Sequence, residues 1–328
     1  MVSSNANSES PADDRGQLIL VGAIALAFVI VALAIAFNGA LFADTLADSE
    51  ARPDLTAAEQ LDRQAARDLP RLLVYLNHRR PYPDTATLDA TVTANVSTYA
   101  RLATEARLQE RPGVVNVSLE NRTYGTRVVQ TTDGPFTEAG TPGGDPSWQP
   151  VDDDRTVGWA VLNLDAANVS DADGADRFTV ELVDADGDWA RLHLSRNTTT
   201  GDDSRTVDVE TVLSSGNGTS PQPCPSSQGR LLLDLRTGTS FGGGCSFNLT
   251  QPLDGPYDVQ FTNGDAATGT YAFVTEGSPP NTLAGGAYAC PDATGPCNAP
   301  VVWEATAVTT YETRATTTES TRQVVVYS

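Results

Sequence analysis

VVNVSLENRTYGTRVVQTT, residues 114–132, is where the chain changes character. From Val114 onward apolar and polar residues alternate with a period of two, and Gly, Pro and Asp turn signals recur at short intervals. Before Val114 the period is near 3.6. Leu55, Ala58, Leu61, Ala65, Leu69, Leu72 and Leu76 predict an amphipathic helix, kinked or restarted at Pro70. A further helix opens at Asp84, a plausible N-cap, carries Leu88, Val92, Val96, Tyr99, Ala103 and Ala106 on one face, and closes at Pro112-Gly113. Such faces pack into a core.

Residues 134–154, GPFTEAGTPGGDPSWQPVDDD, read as a loop by composition. Strands are then predicted in WAVLNLDA, RFTVELV, WARLHLSR, TVDVETVL, GRLLLDLR, YDVQFT, GTYAFVTE, VVWEATAVTTYETRAT and RQVVVYS. Short strands at regular spacing after a helical block give an α+β class, its β part an antiparallel, sandwich-like array.

The first fifty residues are of another kind. MVSSNANSESPADDRG, residues 1–16, is polar, whereas Leu18–Phe37, LILVGAIALAFVIVALAIAF, holds no charge. Twenty helical residues at 1.5 Å each span about 30 Å, the hydrocarbon thickness of a bilayer. The run is too long for a secretory signal core and has no close A-x-A cleavage context, so it stays attached. Leu41, Phe42 and Leu46 continue the helical spacing until Arg52-Pro53. The expected organisation is a cytoplasmic leader at 1–16, a transmembrane helix with its extension at 17–50, a helical stalk at 51–112 and a β-rich external domain at 113–328. Residues 17–42 contact lipid, and the cysteines and sequons downstream agree with an external C-terminal side.

Charge restricts the partners. There are 42 acidic residues against 21 basic ones, all of the latter Arg, for a net charge of −21. Such a surface repels phosphate backbones, which argues against nucleic acid. Molar salt shortens the screening length to about 3 Å and removes most of the self-repulsion. The Asp excess, the absence of Lys and the single Met resemble the composition of haloarchaeal proteins.

Arg15-Gly16-Gln17-Leu18, just before the apolar run, resembles the processing site of archaeal type IV pilin-like proteins. The resemblance covers residues 13–37. It implies a prepilin peptidase that cuts after Gly16, Gln17 as the mature N-terminus, and pilin-like partners. Val21 stands at the fifth mature position, where the bacterial pattern has Glu. A plain uncut signal anchor is the other reading of the same residues.

Four cysteines, Cys224, Cys245, Cys290 and Cys297, lie in Pro/Gly/Ser-rich stretches where no core is expected to shelter a free thiol. An even count outside the membrane predicts disulfides; of three connectivities, Cys224–Cys245 with Cys290–Cys297 needs least chain travel. A zinc site is the alternative, but there is no C-x-x-C and neither His is near a Cys. Sequons stand at Asn95, Asn116, Asn121, Asn168, Asn197, Asn217 and Asn248, with Asn95 set apart by its place inside a predicted helix.

Catalytic signatures are few: no H-E-x-x-H or phosphate loop occurs. His78 lies in the polar helix exit NHRRPYP, and the alternation of WARLHLSR turns His193 to solvent. Gly242–Gly244 serve a loop beside Cys245. Asp184, Asp186 and Asp188, with Asp171, Asp173 and Asp176 upstream, suggest the first half of a calcium loop. The twelfth residue from Asp184 is Ser195 rather than Glu, however, so DADGD reads as a hairpin turn. No cofactor is expected. The sequence favours a structural, pilin-like or pseudopilin-like surface subunit of an archaeal type IV filament or secretion assembly. The alternative is a membrane-tethered module binding a solute, glycan or surface protein, and an enzyme ranks behind both.

Overall fold

The computed structural model describes residues 56–327, apart from 109–112, 172–173, 199–205, 243, 251–252, 254, 280–282, 284–285, 291–294 and 315. The leader, the processing residues Arg15, Gly16 and Gln17, and the apolar run 18–37 lie outside the described residues. Among those described, no helix is long and apolar enough to cross a membrane. The chain divides into two compact units, residues 1–61 with 312–318 and residues 62–311 with 319–328. From Asp62 the helices fall in the same unit as the sheets.

Helix α1 spans 56–79 and helix α2 spans Thr85–Leu108. Leu61, Ala65, Leu69, Leu73 and Leu76, spaced by three or four, form the buried face of α1. The helix runs on through Pro70 rather than restarting there. The lost hydrogen bond costs about 3 kcal/mol, and Leu69 and Leu73, wholly buried on either side, offset it. Asp84 caps α2 as expected: its Oδ1 accepts the Thr87 N–H at 2.7 Å, which holds the carboxyl below its ordinary pKa. Leu88, Val92, Val96 and Ala100 are buried, but Ala106 is exposed, so the apolar face ends one turn earlier than the spacing predicts.

Thirteen strands follow among the described residues. They are β1 (Val114–Pro135), β2 (Trp148–Arg155), β3 (Val157–Asp165), β4 (Phe178–Asp184), β5 (Trp189–Arg196), β6 (Thr206–Leu213) and β7 (Gly218–Pro225). After these come β8 (Arg230–Asp234), β9 (Thr239–Ser240), β10 (Tyr257–Thr262), β11 (Thr268–Glu276), β12 (Cys297–Glu312) and β13 (Thr317–Val325). One seven-stranded sheet has the order β13-β12-β1-β11-β3-β8-β9, and a six-stranded sheet has the order β2-β10-β4-β5-β6-β7. Pairing is antiparallel from β1 through β11, β3 and β8 to β9, and throughout the six-stranded sheet.

Period-two alternation decides which side chains meet between the sheets. Ala160, Leu162 and Leu164 of β3, with Tyr271 and Phe273 of β11, join Val180 and Leu182 of β4, Ala190, Leu192 and Leu194 of β5 and Phe261 of β10 in one core. Phe261 lies 5.4 Å from Tyr271 edge-on, and Phe136 stacks on Phe178 at 4.8 Å, so aromatic contacts cross the interface. The Tyr271 hydroxyl has no hydrogen-bond partner among the described residues, and burial drives its pKa well up. On the other face of the seven-stranded sheet, α2 lies against β1, where the Thr104 hydroxyl receives the Val115 N–H at 3.0 Å.

Two strands were hidden by composition. β2 occupies the end of the predicted 134–154 loop, and β7 reads GTSPQPCP. Both are edge strands. Successive N–H groups of a strand point to opposite edges, so Pro221, Pro223 and Pro225 leave one side of β7 without donors, while Gln222 and Cys224 serve the side paired with β6. Proline there is compatible with the sheet and blocks further pairing.

Candidate functional site

The end of α1 meets the seven-stranded sheet in a polar cluster inside apolar surroundings. Asn77 is 1% exposed. Its Nδ2 donates to the Val302 carbonyl at 2.9 Å and its Oδ1 accepts the Val302 N–H at 3.0 Å, which satisfies both backbone groups as a neighbouring strand would. The same Nδ2 donates to the Tyr327 hydroxyl at 3.2 Å. That hydroxyl lies 3.0 Å from His78 Nε2. A neutral imidazole with its proton on Nδ1 is the form to which that hydroxyl can donate while it accepts from Asn77. Burial, and then the Arg127 charge, push His78 down to about 4, in agreement with that assignment. The ring packs 4.7 Å from Trp159, while Tyr327 packs 5.4 Å from Trp303. A Cβ at Gly158 would meet the Tyr327 Cβ at 2.3 Å, so only glycine admits Tyr327 here.

Arg127, from β1, is buried and reaches the Asn77 and His78 carbonyls with Nη1, both at 3.3 Å. It places a cation at the C-terminal end of α1, where the helix dipole favours one. Burial lowers its pKa, and its Nε has no partner among the described residues. Near the other end of α1, Asp62 accepts from the Ser320 hydroxyl at 2.8 Å and pairs with Arg322. Burial raises that carboxyl, but the bonds from Ser320 and Arg322 outweigh it and hold the group low. Between helices, Tyr99 donates to Asp68; α2 is tied to β1 where Asp89 accepts from Arg122 at 2.9 Å and Tyr124 at 2.6 Å. The arrangement braces α1 along the sheet.

His78 is therefore a structural histidine in a largely buried network at this polar helix exit, and sequence reasoning did not find its partners Asn77, Arg127 and Tyr327. His193 lies on the outer face of β5 as the alternation requires, but it is half-buried rather than turned free to solvent. Its Nδ1 is 2.8 Å from the Thr179 hydroxyl, and burial, then Arg177, lower its pKa. Around it Arg191 pairs with Glu181 and Arg177 with Glu210, a cross-strand ladder.

The cysteines pair as Cys224–Cys245 and Cys290–Cys297. They are not confined to open loops: Cys224 lies in β7 within the main core, and Cys290 and Cys297 form a small core with Val129 and Ala299. In DADGD, Asp184 Oδ1 accepts the Asp186 and Asp188 N–H groups at 3.1 and 2.9 Å, with Gly187 at φ +84°. The acidic triplet is a hairpin turn. Among the described residues no group of three or more His, Cys, Asp or Glu is placed to hold a metal ion. Asn116, Asn121, Asn168, Asn217 and Asn248 are exposed; Asn197 is 5% exposed and donates to Asp208 at 2.7 Å. A cleft of about 330 Å³ is lined by Thr156, Arg236, Thr250, Leu253 and Tyr257, whose phenol burial raises to about 12.

No protein-family model matches the chain, and no curated protein matches it.

Proposed function

We propose that the chain is a membrane-anchored structural surface subunit, pilin-like or pseudopilin-like, held by the apolar run 18–37 with its β-rich part displayed outside. The observation that carries this reading is the bracing of α1. The helix described from residue 56 is fixed to the seven-stranded sheet through Asp62 and, at its C-terminal end, Asn77. In this reading the contacts of Asp62 and Asn77 hold the α1 end of the displayed part against its sheet. Arg15-Gly16-Gln17 supplies the processing site, with a prepilin peptidase as the partner enzyme.

The test is the mass of the mature N-terminus in wild type and in Gly16→Phe. Processing after Gly16 in wild type, blocked in the variant, supports the reading; both chains beginning upstream of Gln17 removes it. Leu26→Asp separates anchoring from processing, since a mid-span carboxylate costs about 2.5–3.5 kcal/mol of insertion. The second reading, a tethered binding module for a solute, glycan or surface protein, draws on the cleft at Arg236 and Tyr257.

A further inference from the structure

Arginine is distributed unevenly over this acidic chain. Residues 56–80 hold five arginines against three carboxylates, whereas the remainder holds sixteen against 39. Four of the five do not scatter around α1. Arg63, Arg67, Arg71 and Arg79 follow one another at multiples of four residues, with Tyr75 completing the series, so all lie along one stripe of the helix. All five positions are exposed, as is Arg80, and Tyr75 is 57% exposed with the Arg79 guanidinium 6.0 Å from its ring. Two of the three carboxylates lie off the stripe and are engaged elsewhere, Asp62 by Ser320 and Arg322 and Asp68 by Tyr99, while Glu59 stands in line with the series one turn before Arg63. Among the described residues, no ion pair involves Arg67, Arg71, Arg79 or Arg80.

We infer that this arginine stripe is a docking surface for the acidic surface of a second copy of the chain, an inference that rests on the surface-subunit reading. Charge complementarity selects the occupant: the rest of the chain is strongly acidic, and its exposed turns present carboxylates such as Asp186 and Asp188. Guanidinium groups bind carboxylates bidentately, a contact geometry rather than a long-range field. In molar salt the screening length is about 3 Å, so repulsion between two acidic copies is suppressed while direct pairs persist. A helix stripe on one copy meeting acidic turns on the next is a heterologous contact, which propagates as an open array instead of closing into a dimer.

The experiment uses the full chain in detergent and molar potassium chloride, with sedimentation measured across concentration. Wild type is expected to show a series of oligomers. Arg67→Gln/Arg71→Gln/Arg79→Gln is expected to associate at least tenfold more weakly with an unchanged melting temperature, because these side chains project from the fold. Wild type that stays monomeric, or a variant that associates like wild type, overturns the inference. So does a monomeric wild type that instead binds phosphatidylglycerol vesicles through the same three arginines, which would assign the stripe to lipid. The N-terminal mass of the same preparation reports processing separately. An unprocessed chain that still associates through the stripe upholds the contact without the pilin-like reading, and a processed but monomeric chain does the reverse.

Discussion

Replacing Asn77 by leucine keeps the heavy-atom branching of the side chain and removes three hydrogen bonds at once. The Val302 N–H and C=O then remain in a fully buried strand position with nothing opposite them. Each orphaned buried group costs about 1–3 kcal/mol, so the pair sets an expected loss of about 4 kcal/mol. At about 2–4 °C per kcal/mol for a chain of this size, the melting temperature should fall by about 10 °C. Aspartate should do no better, since its second oxygen would face the Val302 carbonyl instead of donating to it. Thermal unfolding followed by circular dichroism in molar salt measures both, with exposed Gln64→Ala as a control expected within about 0.5 kcal/mol of wild type. An Asn77→Leu protein that melts within 2 °C of wild type would refute the bracing role.

Acid should destabilise the fold through His78: its folded pKa of about 4 lies below the usual 6.5, so its contribution is complete above pH 6.5, declines below it, and is lost by about pH 4. The full difference is about 3 kcal/mol, and His78→Gln should flatten that part of the stability–pH curve. Thiol labelling of the unfolded, unreduced chain should find no free cysteine at the four positions. Chain-entropy arithmetic predicts a larger loss from opening Cys224–Cys245, separated by 21 residues, than Cys290–Cys297, separated by 7, at about 3.5 and 2.5 kcal/mol. Pro221→Thr/Pro223→Thr restores two donors on the free edge of β7 and should raise light-scattering aggregation at unchanged secondary structure; equal aggregation would show that the edge is guarded otherwise.

Local pattern carried much of this architecture. WARLHLSR, TVDVETVL and YDVQFT coincide with β5, β6 and β10, because a two-residue period with one buried face leaves a strand little choice of register. The Asp84 cap and the disulfide pairing were legible for the same reason, each being set by residues close in sequence. β2 and β7 were not, since their prolines are turn signals by composition and become edge guards only once a neighbouring strand exists. The polar cluster was beyond reach altogether. Asn77 finds Val302 225 residues away and Arg127 meets carbonyls 49 and 50 residues upstream, and nothing around any of them in sequence announces the partner. The arginine stripe was present in the sequence all along, but its even spacing acquires meaning only when the opposite face of the helix is known to be buried.

The hydroxyl of Tyr327 seals His78 across 249 residues of chain. A ribosome adding about 5–20 residues per second needs roughly 12–50 s to cover that interval. For most of that time α1 has been made but neither Val302 nor Tyr327 exists, so Asn77 and His78 lack their partners. Completion of this region therefore waits until residue 327 has been made, whatever the helices do alone. A nascent chain stalled before residue 302 should expose an apolar helix to chaperones, and cells short of holdase capacity should lose this protein through degradation before it has ever been native.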